Sequence, residues 1–141
     1  MYTLAKRFRF SAAHTLYSPV LSEEENRRVY GKCANPTGHG HDYAIEVIVS
    51  GPELIEDVVV GHGWLDDLVE QHLVPRFRFQ NLNDAFRDGF ITTGENLTQA
   101  VWELLEPQLP SGLTLTVRLV ETSKNAFVFR GDREQAGDGG V

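Results

Sequence analysis

The chain's single cysteine, Cys33, stands in GKCANPTGHGHDY (Gly31 to Tyr43), a few residues ahead of His39 and His41. Alternate residues of a strand point to the same side about 7 Å apart, so these two imidazoles can reach one metal ion at Zn–N distances of about 2.0 Å. His14 is the natural third ligand, because it ends the apolar face of a first strand that would pair with the second. Three histidines and an open fourth position are the arrangement of a catalytic zinc, which polarises oxygen atoms of a substrate. Taken singly, each histidine also fits an ordinary half-buried, hydrogen-bonded residue. The residues leave three readings of Cys33 open: a fourth ligand closing a structural site, an inert buried thiol, or a thiolate base or nucleophile beside a cation. Glu121 ends another apolar row. It either reaches solvent at a strand end or, if buried, needs donors such as the guanidine-like edge of a pterin or guanine.

Two long strands and two helices must position these groups. From Tyr2 to His14 the even positions form a mostly apolar face, and from about His39 to Ser50 the odd positions do the same, so both histidines share the core-facing register. Gly51-Pro52 stops the second strand. Trp64, Leu65, Leu68, Val69, His72 and Leu73 recur at helical spacing, and a second helix follows Thr93 with Leu97, Val101, Leu104 and Leu105 as its stripe. Residues 113–121 alternate again, and 125–130 form a last strand with Phe127 and Phe129. Ser18 to Arg28 reads as a solvated loop or a short polar helix. The predicted order is β-β-α-α-β-β: an α+β fold whose four-stranded antiparallel sheet carries two helices on one face, one domain over 1–131 and a disordered polar tail over 132–141.

At 141 residues the chain has the size of one domain of about 100 to 150 residues. A net charge of −7 argues against a nucleic-acid or acidic-membrane surface and favours a small-molecule partner. One cysteine makes no internal disulfide, the start lacks the apolar core of a signal peptide, and no segment approaches the ~20 apolar residues of a membrane span. The expected location is cytoplasmic, with a reduced thiol.

FSAAH (10–14), YGKCANPTGHGHDY (30–43), TTGENLTQAVW (92–102) and VETSKNAFVFRG (120–131) together resemble the 6-pyruvoyl-tetrahydropterin synthase and 6-carboxytetrahydropterin synthase family, over Tyr2 to about Gly131. The resemblance implies the T-fold, with trimers closing a barrel, two trimers stacking into a hexamer, and active sites between subunits. It makes His14, His39 and His41 the zinc ligands, Cys33 the catalytic thiol and Glu121 the pterin anchor, with Thr93 and Glu95 in the segment that also approaches the pterin. The implied substrate is 7,8-dihydroneopterin triphosphate, whose hydroxyls sit on zinc while the thiolate removes a carbon-bound proton and triphosphate leaves. Five residues between Cys33 and His39 match the pyruvoyl-type branch. One departure stands out: where the family carries Leu-Asp-His before Asn-Leu-Asn, this chain reads FRFQNLND, so Arg78 and Phe79 replace the Asp-His proton relay. Neither replacement transfers a proton near neutral pH. His62 and His72, in and after a segment of the Met-Asp-Phe-Gly type that here reads Val60-Gly61-His62-Gly63, are candidate substitutes or plain surface residues. Lys32, Arg27, Arg28 and Lys124 are candidate cations for a triphosphate. The expected activity is a zinc-dependent pterin lyase; the alternatives are a 6-carboxy-type or side-chain-cleaving enzyme with an altered product, or a pterin-binding module without turnover.

Overall fold

The computed structural model describes residues 1–131, and the expected tail over 132–141 lies outside them. Two thirteen-residue strands, β1 (Tyr2–His14) and β2 (His39–Gly51), pair antiparallel along their whole length. β4 (Thr114–Val120) pairs antiparallel with β2, and β5 (Ala126–Phe129) with β4. The expected four-stranded antiparallel sheet needs correction. A two-residue strand, β3 (Gln80–Asn81), runs parallel to β1 at Ala12 and Ala13, which makes a mixed five-stranded sheet of order β3-β1-β2-β4-β5. Two residues are too short to show a period-two pattern, so only the fold reveals this strand.

The helical content also exceeds two. α1 (Glu23–Tyr30) forms inside the charged stretch because Ser22 and Glu25 make a capping box at its start. Three glutamates in its first turn and two arginines in its last complement the helix dipole. α2 (His62–His72) and the single turns α3 (Val74–Phe77) and α4 (Leu82–Ala85) precede α5 (Gly94–Leu105), which Thr93 caps by accepting from the Asn96 amide at 3.2 Å. Short 3₁₀ turns cover Gly31–Ala34 and Glu106–Gln108.

One face of the sheet is covered. Phe10, Tyr43, Ile45, Val47 and Val117 pack there against Leu65, Leu68 and Val69 of α2 and Leu97, Val101 and Leu105 of α5. Trp64, expected in the α2 stripe, is instead exposed. The other face is charged. Arg118 and Arg7 both pair with Glu46 across three strands, and the Arg118 hydrogen bond, ahead of Arg7, holds the Glu46 carboxyl below the usual range. Gly94 is required by close packing, because a side chain there would run into the Phe127 ring. This contact brings the start of α5 against β5, beside the segment that carries Glu121.

Candidate active site

The site lies where β1 and β2 end and begin. The register places His14 directly opposite His39, and Ala12 opposite His41, so all three imidazoles project onto the covered face in one patch. Their ring centroids are 4.8 Å (His14 to His39), 5.1 Å (His14 to His41) and 4.6 Å (His39 to His41) apart. Gly38, at φ +76°, turns the chain into β2 beside the His14 carbonyl, where a side chain would be both strained and crowded.

His14 is buried and oriented. Its Nδ1–H donates to the Thr92 carbonyl at 2.9 Å, which leaves Nε2 as the atom free to bind an ion. Burial pushes its pKa down to about 4, the Thr92 bond partly opposes that shift, and His39 and His41 add to it. Burial lowers His39 and His41 as well, so the cluster favours three neutral imidazoles, the form that ligates metals. Among the described residues, both ring nitrogens of His39 and Nε2 of His41 are buried with no hydrogen-bond partner. Buried polar atoms are ordinarily paired, and these three nitrogens are left available to a ligand or an ion.

Cys33 and Glu121 complete the patch from two sides. Ligand-capable atoms of His14, Cys33 and His39 lie within 4.8 Å of one another, as do those of His14, His41 and Glu121. The Glu121 carboxylate is 3.9 Å from His41 Nε2 and 8% exposed, which decides against the solvent-reaching strand end. Burial first, and Glu95 as a lesser repulsion, push its pKa up, with His39 opposing. Burial and the Glu121 charge push the Cys33 thiol up. The metal-free pocket is thus hostile to two anions, and a cation would relieve both.

Thr93 and Glu95 stand beside this cluster and not in it. Thr93 spends its hydroxyl on the α5 cap, and Glu95 is exposed on the first turn, acting on Glu121 through charge alone. His62 and His72, at the two ends of α2, make no hydrogen bond to the cluster among the described residues. Arg78 is exposed, and Phe79 is 82% exposed with φ 53°, held there by its amide donating to the Ser11 carbonyl at 2.7 Å. Arg27 pairs loosely with Glu23 at 3.9 Å on the exposed face of α1.

Four supporting residues were missed by sequence reasoning. The Thr92 carbonyl sets the His14 tautomer. Tyr43, fully buried, holds its hydroxyl 3.5 Å from the His14 ring nitrogens. Asn83 clamps Thr15, accepting from its amide and donating to its carbonyl, both at 2.8 Å. Asn26 accepts from the Ser18 amide at 2.7 Å and donates to the carbonyls of Ser18, Leu21 and Ser22, which fastens the loop before Cys33. An asparagine inside a charged stretch was the available signal for Asn26.

The 6-pyruvoyl tetrahydropterin synthase family model matches residues 3–132. The chain belongs to that family. Among its relatives, 6-pyruvoyl tetrahydrobiopterin synthase of Pongo abelii is 36% identical over 133 residues, 92% of this chain and 91% of the relative. The Homo sapiens protein of the same name is 35% identical, with the same shares covered. The solved structure of Caenorhabditis elegans 6-pyruvoyl tetrahydropterin synthase superposes with a TM-score of 0.84 at 32% identity, covering 93% of this chain and 96% of that one. The chain is accordingly a lyase of the 6-pyruvoyl tetrahydropterin synthase family. Membership extends the resemblance seen in four sequence segments to the whole described fold. Among the described residues, no helix is long and apolar enough to cross a membrane.

Proposed function

We propose that the protein is a zinc-dependent pterin lyase acting on 7,8-dihydroneopterin triphosphate or a related dihydropterin, with Cys33 as the base. The observation that carries this is the group of buried His14 and half-buried His39 and His41, the latter two with buried, unpartnered ring nitrogens, beside one thiol and one buried carboxylate. Zinc held by His14, His39 and His41 would supply Lewis-acid polarisation of the substrate hydroxyls and a positive charge that favours the neighbouring thiolate.

The chain's own residues do the rest. Thr92 keeps the proton on His14 Nδ1, so the ligand nitrogen stays free. Glu121, desolvated and in need of donors, receives the N–H groups of the pterin ring and thereby fixes the distance of the side chain from Cys33. Cys33 takes the carbon-bound proton as the leaving group departs. Its backbone is tied to the chain two residues beyond His14, because the Cys33 carbonyl accepts from the Leu16 amide at 2.8 Å. Thr93 and Glu95 sit at the start of α5, where they border the ring end of the pocket.

Assembly into a trimeric or hexameric barrel is part of the reading. The exposed Phe79 and the half-buried rim at Cys33 and His41 support a site completed by a neighbouring copy. A reduced Cys33 suits a cytoplasmic setting. A second reading, an altered product, is favoured by one observation: the relay positions hold an exposed arginine and an exposed phenylalanine in a left-handed backbone. Cleavage of a side-chain carbon–carbon bond balances with the thiolate taking the proton of the outer hydroxyl, that carbon leaving as an aldehyde, and the proton passing to the ring-attached carbon to give a 6-hydroxymethyl pterin. A 6-carboxy-type product takes up water in addition.

The test is mass spectrometry of products from zinc-loaded protein supplied with dihydroneopterin triphosphate, and in parallel with dihydroneopterin. Loss of triphosphate supports the lyase, and a shortened side chain supports the altered product. Binding without conversion of either compound would reduce the protein to a pterin-binding module. Arg78→Asp with Phe79→His should raise 6-pyruvoyl product, and histidine tolerates the left-handed backbone at 79 better than phenylalanine does.

A further inference from the structure

A second cavity lies at the opposite end of the sheet. β1 and β2 run together from the His14–His39 pair at the histidine cluster to the Tyr2–Gly51 pair, a length of about 40 Å at about 3.4 Å per residue. Beyond Gly51 the chain makes a small hairpin, in which Ile55 and Val58 exchange backbone hydrogen bonds at 2.9 and 3.2 Å. Glu56 and Asp57 are its two turn residues, at φ 51° and 65°, the left-handed pair that suits the twist of a two-residue hairpin. A cavity of about 450 Å³ opens between this hairpin and the loop 110–113 that leads into β4. That loop is seated against the end of β2, since a side chain at Gly51 would run into Leu113.

The cavity joins apolar walls to uncompensated negative charge. Ile55, Val58, Val60 and Leu113 supply apolar wall, Ser111 adds a hydroxyl, and Glu53 and Glu56 supply the charges. Among the described residues no cation lines it, and neither glutamate is in an ion pair. The cations of the nearby sheet are engaged elsewhere: Lys6 pairs with Asp66, and Arg7 and Arg118 pair with Glu46. Both cavity glutamates are exposed, so they stand at the rim. The net charge of −7 adds a long-range attraction for cations that a triphosphate substrate does not use.

We infer that this cavity binds a small organic cation, a primary amine on a compact apolar body, with the ammonium at Glu53 and Glu56 and the body against Val58, Val60 and Leu113. An ammonium carries three donors and no acceptor, the complement of carboxylates that only accept. Its apolar body removes the valine and leucine side chains from water. The volume falls within the range of about 300 to 1,000 Å³ that small-molecule pockets occupy. An amino acid would set its own carboxylate beside the same two glutamates, which favours the simple amine. A pterin triphosphate is repelled there for the same reason. No residue of the cavity belongs to the histidine cluster, so the inference is independent of the zinc reading.

Ligand-observed NMR titration of the zinc-loaded full-length protein with 2-phenylethylamine tests this, with 2-phenylethanol and 3-phenylpropanoate as neutral and anionic counterparts of the same body. The amine should bind with a Kd on the order of 1 mM, an affinity ordinary for so small a ligand, and the other two about tenfold more weakly or worse. Hydrogen exchange read by mass spectrometry should show protection by the amine confined to 52–61 and 110–113. Glu53→Gln with Glu56→Gln should weaken the amine about tenfold at unchanged thermal midpoint and zinc content. If that double variant is destabilised, about 0.5 M sodium chloride on the unmodified protein reads the same pairing, because it screens the amine and spares the alcohol. Equal binding of all three compounds overturns cation recognition. Protection at the histidine cluster, or competition by saturating 7,8-dihydroneopterin, places the amine in the active site and overturns the separate cavity. Protection at 52–61 that grows with protein concentration in the absence of amine shows that a second copy covers this face, and overturns it too. No amine binding up to about 20 mM overturns the inference whatever the lyase assay returns.

Discussion

Acidifying the metal-free protein should destabilise it through His14. That side chain is 1% exposed, and its pKa lies at about 4 against an ordinary value of 6.5. Between those values the unfolded chain binds a proton that the native site refuses, so stability is complete above the unfolded pKa and is lost as pH falls from about 6.5 toward 4. Each pKa unit corresponds to about 1.36 kcal/mol, so a depression of about 2.5 units amounts to roughly 3 kcal/mol in full, of which about 2.5 is spent by pH 4.5. His39 and His41 shift in the same direction and add to the loss. The assay is urea denaturation in chelator at pH 7.5 and pH 4.5, for the wild type and for His14→Asn. His14→Asn costs stability at both pH values but lacks this titration, so its loss on acidification should be smaller by about 2 to 3 kcal/mol. Parallel losses, within about 0.5 kcal/mol, would refute the claim that burial holds His14 neutral.

His39→Ala combined with His41→Ala should abolish stoichiometric zinc, measured by metal analysis after dialysis; full retention sinks the three-histidine assignment. Cys33→Ala should keep zinc through those histidines while turnover falls at least the ~10²-fold of a lost general base, read from product formation. Glu121→Gln should weaken dihydroneopterin binding by about 2 kcal/mol with the fold unchanged, since a charge-assisted pair becomes a neutral one; equal affinity by calorimetry removes the anchor role. Asn26→Ala leaves the buried Ser18 amide without its acceptor, so stability should drop by about 1 to 3 kcal/mol in urea, and an unchanged midpoint would show that the loop before Cys33 does not depend on it.

Much of the architecture could be read from pattern. Period-two alternation marked β1, β2 and β4 almost to the residue, because one face of each is covered and the other is charged. An apolar stripe at helical spacing after Thr93 marked α5. What escaped lies between 74 and 85, where two single helical turns and a two-residue strand carry no period of their own and exist because β1 offers a free edge. Trp64 sat in a helical stripe yet is exposed.

The candidate site divides along the same line. Residue type and spacing alone singled out His14, His39, His41, Cys33 and Glu121, because i and i+2 on a strand must share a face and buried rows ending in polar groups need a reason. Tertiary structure decided how they meet: the β1–β2 register sets His14 against His39, and the hydrogen bond His14 donates to a carbonyl 78 positions away fixes its tautomer. It decided also that Thr93 caps a helix and that Phe79 stands in a left-handed, exposed turn. A sequence determines which faces are apolar and which side chains can carry protons or ligate ions. The distances between residues far apart in the chain depend on strand order and register, and those follow only when the whole core closes.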